Sequence, residues 1–151
     1  MSFGAGFAVF SVPAHRVLML RSAEHGLWEL PGGEAERHES DPFETACREF
    51  AEETGGFPDW QSAIPRHGGD AVVWRRPGGR PEWKVTEGRG PGFMPAAEYH
   101  VFAFEALMFR PVLSREHADY TWCATGPLLR RNELKKRVHP GAVAYLRWLL
   151  G

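Results

Sequence analysis

The sequence predicts an α/β fold, a mixed sheet flanked by helices, on three observations. Short apolar runs with strand periodicity recur along the chain, segments with helical spacing interrupt them, and Pro/Gly turns join several of them as hairpins. With 151 residues the chain has the length of one domain that can bury a proper core, so residues 1–151 are read as a single unit.

Phe3–Val12, rich in Gly, Ala, Phe and Val, reads as the first strand. His15–Arg21 follows a turn containing Pro13, with Val17 and Met19 on one face and Leu18 and Leu20 on the other. Leu27–Leu30 is a short extended piece ending at Pro31, and Gly32-Gly33 predicts a turn. The first helix has clear boundaries. Asp41 is the N-cap, Pro42 suits the first helical position, and Glu44 completes a capping box. Phe43, Ala46, Cys47 and Phe50 form its apolar stripe, and Gly55-Gly56 ends it in the left-handed conformation. Ala71–Arg76 and Pro81–Thr86 flank Pro77-Gly78-Gly79-Arg80 as a hairpin, and Gly88–Ala97 reads as a loop. Glu98–Phe109 is the longest strand, Tyr120–Ala124 a short one, and Pro140–Leu150 a terminal helix packing through Val143, Leu146, Trp148, Leu149 and Leu150.

The chemistry concentrates on the first helix. Glu49, Glu52 and Glu53 stand at i, i+3 and i+4, so they share one face although like charges at that spacing repel. A cation relieves that repulsion, and hard oxygen donors suit Mg²⁺ or Mn²⁺. Gly32-Gly33 lies just upstream, where backbone can approach a ligand closely. The pattern reads as a divalent-metal site for phosphate chemistry. If the apolar stripe packs on the sheet, the carboxylates are held at its rim.

Composition narrows the function further. The 43% apolar and 25% charged shares are those of an ordinary globular protein, and a net charge of -1 argues against nucleic acid as partner. A small anion is still bindable through local charge and metal. Cys47 and Cys123 are a poor basis for disulfides, and Cys47 reads as a small buried hydrophobe. No secretory n-region or spanning apolar run is present, which predicts a cytoplasmic protein with no membrane partner. The seven histidines lack ligand spacing and read as surface or satisfied core. Trp28, Trp74, Trp83 and Trp122 read as core ahead of base-stacking platforms. Arg21, Arg37, Arg75, Arg76, Arg80 and Lys84 read mainly as solvated surface, with phosphate contact as the functional option.

Taken together, Gly33, Glu39 and Arg48-Glu49-Phe50-x-Glu52-Glu53-x-Gly55 resemble the Nudix box, the signature of the Nudix hydrolases. Trp28-Glu29-Leu30-Pro31-Gly32-Gly33 is similar to the family's lead-in. Glu116-His117-x-x-Tyr120-x-Trp122 is similar to a late segment in which a glutamate precedes a Trp-bearing strand. Two departures stand out: eight residues instead of seven separate Glu39 from Arg48, and Gly56 holds the final apolar position.

The resemblance implies a Nudix-type α/β/α sandwich that hydrolyses a pyrophosphate bond in a nucleoside diphosphate derivative. By position, Glu49, Glu52, Glu53 and the Gly33 carbonyl would bind Mg²⁺, with Mn²⁺ as an alternative. The general base would be Glu49 or a loop glutamate such as Glu116. Glu53 and Arg48 belong to the catalytic set, and Arg48, i+4 from Glu52, would orient carboxylates. In the family Glu39 pairs with this arginine. Such chemistry needs no Ser, Cys or His nucleophile, and none stands in a convincing setting. A small-molecule nucleotide is the implied partner, and a homodimer is consistent with the family.

The late segment is closest to nucleoside or pterin triphosphate pyrophosphatases, so a nucleoside triphosphate or related nucleotide is the favoured substrate. The hairpin and the Gly88–Ala97 loop are expected to wall the specificity pocket. Nucleotide sugars and dinucleoside polyphosphates are the alternatives within the same chemistry. A nucleotide-binding module without turnover is the alternative outside it.

Overall fold

The computed structural model describes residues 3–12, 15–75, 82–88, 97–126 and 137–151. Among them nine strands share one sheet: β1 (Phe3–Ser11), β2 (Arg16–Ser22), β3 (Trp28–Glu29), β4 (Gly32–Glu34), β5 (Ile64–Pro65), β6 (Ala71–Arg75), β7 (Trp83–Glu87), β8 (Ala97–Ala106) and β9 (His117–Ala124). Helix α1 (Pro42–Thr54) and helix α2 (Pro140–Leu150) flank it. The central path runs β3-β2-β1-β8-β6-β7, with β4 on β1, β5 on β8 and β9 on β2. β1 and β8 are parallel over nine residue pairs, from Phe3↔Glu98 to Ser11↔Ala106, whereas the other pairings are antiparallel. The sheet is therefore mixed, as the sequence predicts.

Strand alternation divides the core between the two faces. Ala5, Phe7 and Val9 of β1, with Leu18 and Leu20 of β2, pack with Ala46 and Phe50 of α1. Ala8, Phe10, Val17 and Met19 point the other way, against Ala142, Tyr145 and Leu146 of α2. Each face thus buries one helix stripe, and the molecule is an α/β/α sandwich. Phe7 anchors the α1 side, its ring 5.0 Å from Phe104 and 5.3 Å from Phe50. Phe43, the outermost member of the stripe, is edge-exposed yet meets Phe102 at 5.2 Å.

Helix α1 begins and ends where its sequence says. Asp41 accepts from the Phe43 amide at 3.0 Å, so the cap engages the second helical residue rather than the third. Gly55 and Gly56 have φ of 79° and 83°, a region that an L side chain enters only with strain.

Three expectations are corrected. Gly32-Gly33 is not a turn but the body of β4, pairing Gly6↔Gly32 and Ala5↔Gly33. The reason is the neighbouring β1 edge, whose backbone groups need partners: Phe7 N–H also donates to the Pro31 carbonyl at 2.9 Å. β8 stops at Ala106, level with the end of β1, so Leu107 and Met108 project past their last strand partner and are exposed. β9 begins at His117 rather than Tyr120, because β2 extends to Ser22 and pairs with it across an irregularity. β6 and β7 form the expected hairpin, with Arg75 opposite Trp83. Its connection at 76–81, with Arg76 and Arg80, and loop residues 89–96 lie outside the described residues.

Candidate active site

The site forms where α1 meets β4, β3 and the start of β9. Packing of Ala46 and Phe50 on the sheet fixes the rotation of α1 and so the directions of its carboxylates. Arg48 is the hub. Its Nε and Nη2 donate to the two oxygens of Glu39 at 3.0 and 2.9 Å, a bidentate pair. Nη1 donates to Glu49 at 2.9 Å and to Glu52 at 3.2 Å, and Nη2 also reaches the Glu34 carbonyl at 2.9 Å. The extra residue between Glu39 and Arg48 therefore leaves their pairing intact. A turn closed by the Glu39 amide on the Glu36 carbonyl returns Glu39 to the helix, and Glu39 is itself buried. The hydrogen bonds from Arg48, and then the Glu36 amide, lower the Glu39 carboxyl to about 2, and Arg48 is held firmly charged.

The three helix carboxylates occupy different environments. Glu52 is more than half exposed. Glu49 is mostly buried, and its carboxyl is raised by burial against the opposing pull of Arg48. A β-carbon on Gly33 would stand 2.5 Å from the Glu49 carboxyl carbon, so any larger residue there would displace that carboxylate. Glu53 is fully buried. One of its oxygens accepts from the Gly32 amide at 2.7 Å. The other has no hydrogen-bond partner. Burial, reinforced by the negative charges of Glu49, Glu29 and Glu116, pushes its carboxyl up to about 9.

Glu116 and His117 bring β9 to this carboxylate. One donor atom from each of Glu53, Glu116 and His117 lies within 4.8 Å of the others. Glu116 is exposed, whereas His117 is buried, with Nε2 2.9 Å from Glu29 and Nδ1 3.4 Å from the free oxygen of Glu53. His117 thus departs from the surface or satisfied-core reading, since its Nδ1 has no hydrogen-bond partner. Tyr99 of β8 completes the wall, its phenol pushed well up by burial and by Glu53, Glu29 and Glu49. A cleft of about 950 Å³ opens from these groups, lined also by Arg75, Trp83, Arg115 and His139.

Of the residues expected at the site, Arg48 joins Glu49 and Glu52, Gly33 lies against Glu49, and Glu53 converges with Glu116 and His117; among the described residues Glu49, Glu52 and Glu53 do not themselves form one metal-sized group. Arg48 lies among the carboxylates, as the i+4 spacing predicts. Trp74 and Trp122 are structural: their indole N–H groups donate to Thr86 at 3.0 Å and to the Phe109 carbonyl at 3.0 Å. Trp28 lies under the Arg21 guanidinium. His117, Glu29, Tyr99 and Arg115 are among the cleft residues to which the sequence alone assigns no role. The one available signal was position, because Glu29 and His117 flank motif residues.

A family model for the NUDIX domain matches residues 3–149. The chain belongs to the NUDIX family. It is a Nudix-type pyrophosphohydrolase, acting on acid anhydrides in phosphorus-containing substrates. Nudix hydrolases act on small-molecule nucleotide substrates and generally use a divalent metal. The fold is similar to the Ap4A hydrolase of C. elegans in a binary complex, at TM-score 0.66 and 17% identity over 97% of this chain and 93% of that one. It is similar to the E. coli dihydroneopterin triphosphate pyrophosphohydrolase at TM-score 0.61 and 15% identity, over 98% and 94%. A bifunctional NMN adenylyltransferase/ADP ribose pyrophosphatase from Francisella tularensis, complexed with AMP and Mn ion, gives 0.70 and 20% over 98% of this chain and 40% of that one. At these identities the likeness is one of fold. No curated protein sequence matches the chain. No helix among the described residues is long and apolar enough to cross a membrane.

Proposed function

We propose that this Nudix enzyme hydrolyses a pyrophosphate bond of a nucleoside diphosphate derivative with Mg²⁺, a nucleoside triphosphate or related nucleotide being the favoured class. One observation carries the reading: Arg48 ties Glu39, Glu49 and Glu52 into one ion network while Glu53 and Glu116 converge on the cleft. The donors fit a hard divalent ion, and the buried, unpartnered oxygen of Glu53 is a group that a cation would satisfy. Glu49, Glu52, Glu53 and the Gly33 carbonyl would hold it. When bound, such an ion supplies charge neutralisation to the pyrophosphate oxygens.

The chain's own groups do the rest by positioning. Glu39 fixes the Arg48 guanidinium, and Arg48 fixes the Glu49 and Glu52 carboxylates, so little reorganisation is needed when substrate arrives. The Gly32 amide holds the Glu53 plane. Glu49, raised by burial, and Glu116, on the open side, are the two candidate bases for the attacking water. Arg75 and Arg115 bring positive charge to the cleft, and Trp83 brings an aromatic face for a base. Both cysteines are free, which accords with a reducing, cytoplasmic location. A homodimer belongs to the same reading, and light scattering on the purified protein tests it.

The test is release of phosphate or pyrophosphate from nucleoside triphosphates, ADP-ribose, nucleotide sugars and dinucleoside polyphosphates, with Mg²⁺, Mn²⁺ or EDTA. Metal-dependent cleavage of the triphosphates is expected. Cleavage of another group alone would replace the substrate class. Glu52→Gln and Glu53→Gln should abolish turnover while cooperative melting in EDTA persists. Nucleotide binding without turnover anywhere would make the chain a binding module. A pH–rate profile of Glu116→Gln separates the bases: if Glu116 is the base, the variant loses the acid limb, and if Glu49 is, it keeps it.

A further inference from the structure

We propose that His117 is itself a ligand of the divalent ion, its Nδ1 joining Glu53 and Glu116 in a mixed nitrogen–oxygen set that shifts preference from Mg²⁺ toward Mn²⁺. This rests on the metal-dependent reading above and adds to it a residue from β9.

The argument starts from the hydrogen on the imidazole. Nε2 lies 2.9 Å from Glu29, and an ionised carboxylate only accepts, which assigns the ring hydrogen to Nε2. In the neutral ring Nδ1 is then a bare lone pair. That lone pair faces the free oxygen of Glu53 across 3.4 Å, and neither atom has a hydrogen-bond partner. The His117 side chain is 3% exposed and that of Glu53 1%, so water does not relieve them. The other Glu53 oxygen is already engaged by the Gly32 amide. Two buried atoms facing each other without a hydrogen bond need something electropositive between them, a proton in the metal-free protein and the ion once it displaces that proton.

Glu29 supplies a second argument. A metal-bound histidine usually donates its remaining ring N–H to a carboxylate, which fixes the tautomer and raises the basicity of the ligating nitrogen. Glu29 and His117 reproduce that order, with Glu53 facing Nδ1 and Glu116 offering a further oxygen at the exposed side. An imidazole nitrogen adds little for a hard ion such as Mg²⁺, which favours oxygen, and more for a first-row transition ion.

The test is pulsed EPR of Mn²⁺ bound to the full chain, with Mn²⁺ and Mg²⁺ dissociation constants for wild type and His117→Asn. Expected are a directly coordinated ¹⁴N signal that His117→Asn abolishes, and Mn²⁺ affinity lowered roughly 10-fold or more, on the scale of losing a ligand or its support. Mg²⁺ affinity should fall less. If His117→Asn does not melt cooperatively in EDTA, Glu29→Ala serves instead, since Glu29 is 30% exposed and touches only the far ring nitrogen. That variant should weaken Mn²⁺ binding roughly 10–100-fold. Mn²⁺ bound without a nitrogen signal overturns the proposal and leaves the carboxylate site standing. No Mn²⁺ bound to wild type overturns both.

Discussion

Glu39 and Glu53 lie in the same site, yet the fold shifts their carboxyls in opposite directions. Two hydrogen bonds from Arg48 lower Glu39 from 4.5 to about 2. A carboxyl depressed in the folded state adds stability above its unfolded value and loses it as pH falls through the folded one. Glu39→Gln should therefore melt below wild type at pH 7, with the gap closing as pH drops from 4.5 toward 2. Melting curves that stay parallel over that window would show that the pair contributes nothing. Glu53 carries the opposite sign, because burial raises it from 4.5 to about 9. The folded, metal-free protein keeps a proton that the unfolded chain releases, so its stability should decline as pH rises from 4.5 to 9. Glu53→Gln should flatten that decline, as read from melts in EDTA. None of this is visible in the spacing Glu49, Glu52, Glu53, which treats the carboxylates alike. What separates them is whether each side chain ends in water, on Arg48 or beneath β4.

Helix α1 was the most legible element because its signals are local. The Asp41 cap, Pro42 and the apolar spacing act within a few residues, and tertiary packing agrees with each of them. The C-terminal end is the same kind of feature, and Gly55→Ala tests it. A β-carbon there enters the left-handed region and meets Val112 at 3.3 Å, so a loss of about 1–2 kcal/mol is expected from denaturant unfolding. A change under a few tenths would mean that the helix end relaxes. Gly32-Gly33 departs from its local signal for the converse reason. Two glycines favour a turn locally, but their backbone pairs with β1, nearly thirty residues earlier in the chain, and that register appears in no local pattern. The limits of β8 and β9 likewise follow from where β1 and β2 end.

At the scale of the whole molecule, the sheet's topology assembles what the sequence leaves scattered. β3 carries Glu29, β4 carries Gly33, α1 carries the carboxylates and β9 carries His117, and pairing of β2 with both β3 and β9 sets Glu29 beside His117. The box was readable because its residues are consecutive. His117 and Glu29 were not, since 88 positions separate them and only the β2 pairings close that distance. A site drawn from four elements should couple ion binding to global stability, because the ion finds its ligands together only in the folded chain. At an ion concentration 100 times the dissociation constant the gain is about 2.7 kcal/mol. For a chain of this size that raises the melting temperature by roughly 5–11 °C. Wild type and Gly55→Ala should both show the full shift with Mn²⁺, since Gly55 belongs to the helix end and not to the ligand set. Glu52→Gln with Glu53→Gln should show almost none, and His117→Asn a partial one that is larger with Mg²⁺ relative to wild type than with Mn²⁺. Equal shifts in all four would place the bound ion elsewhere on the surface and separate the carboxylate helix from metal binding.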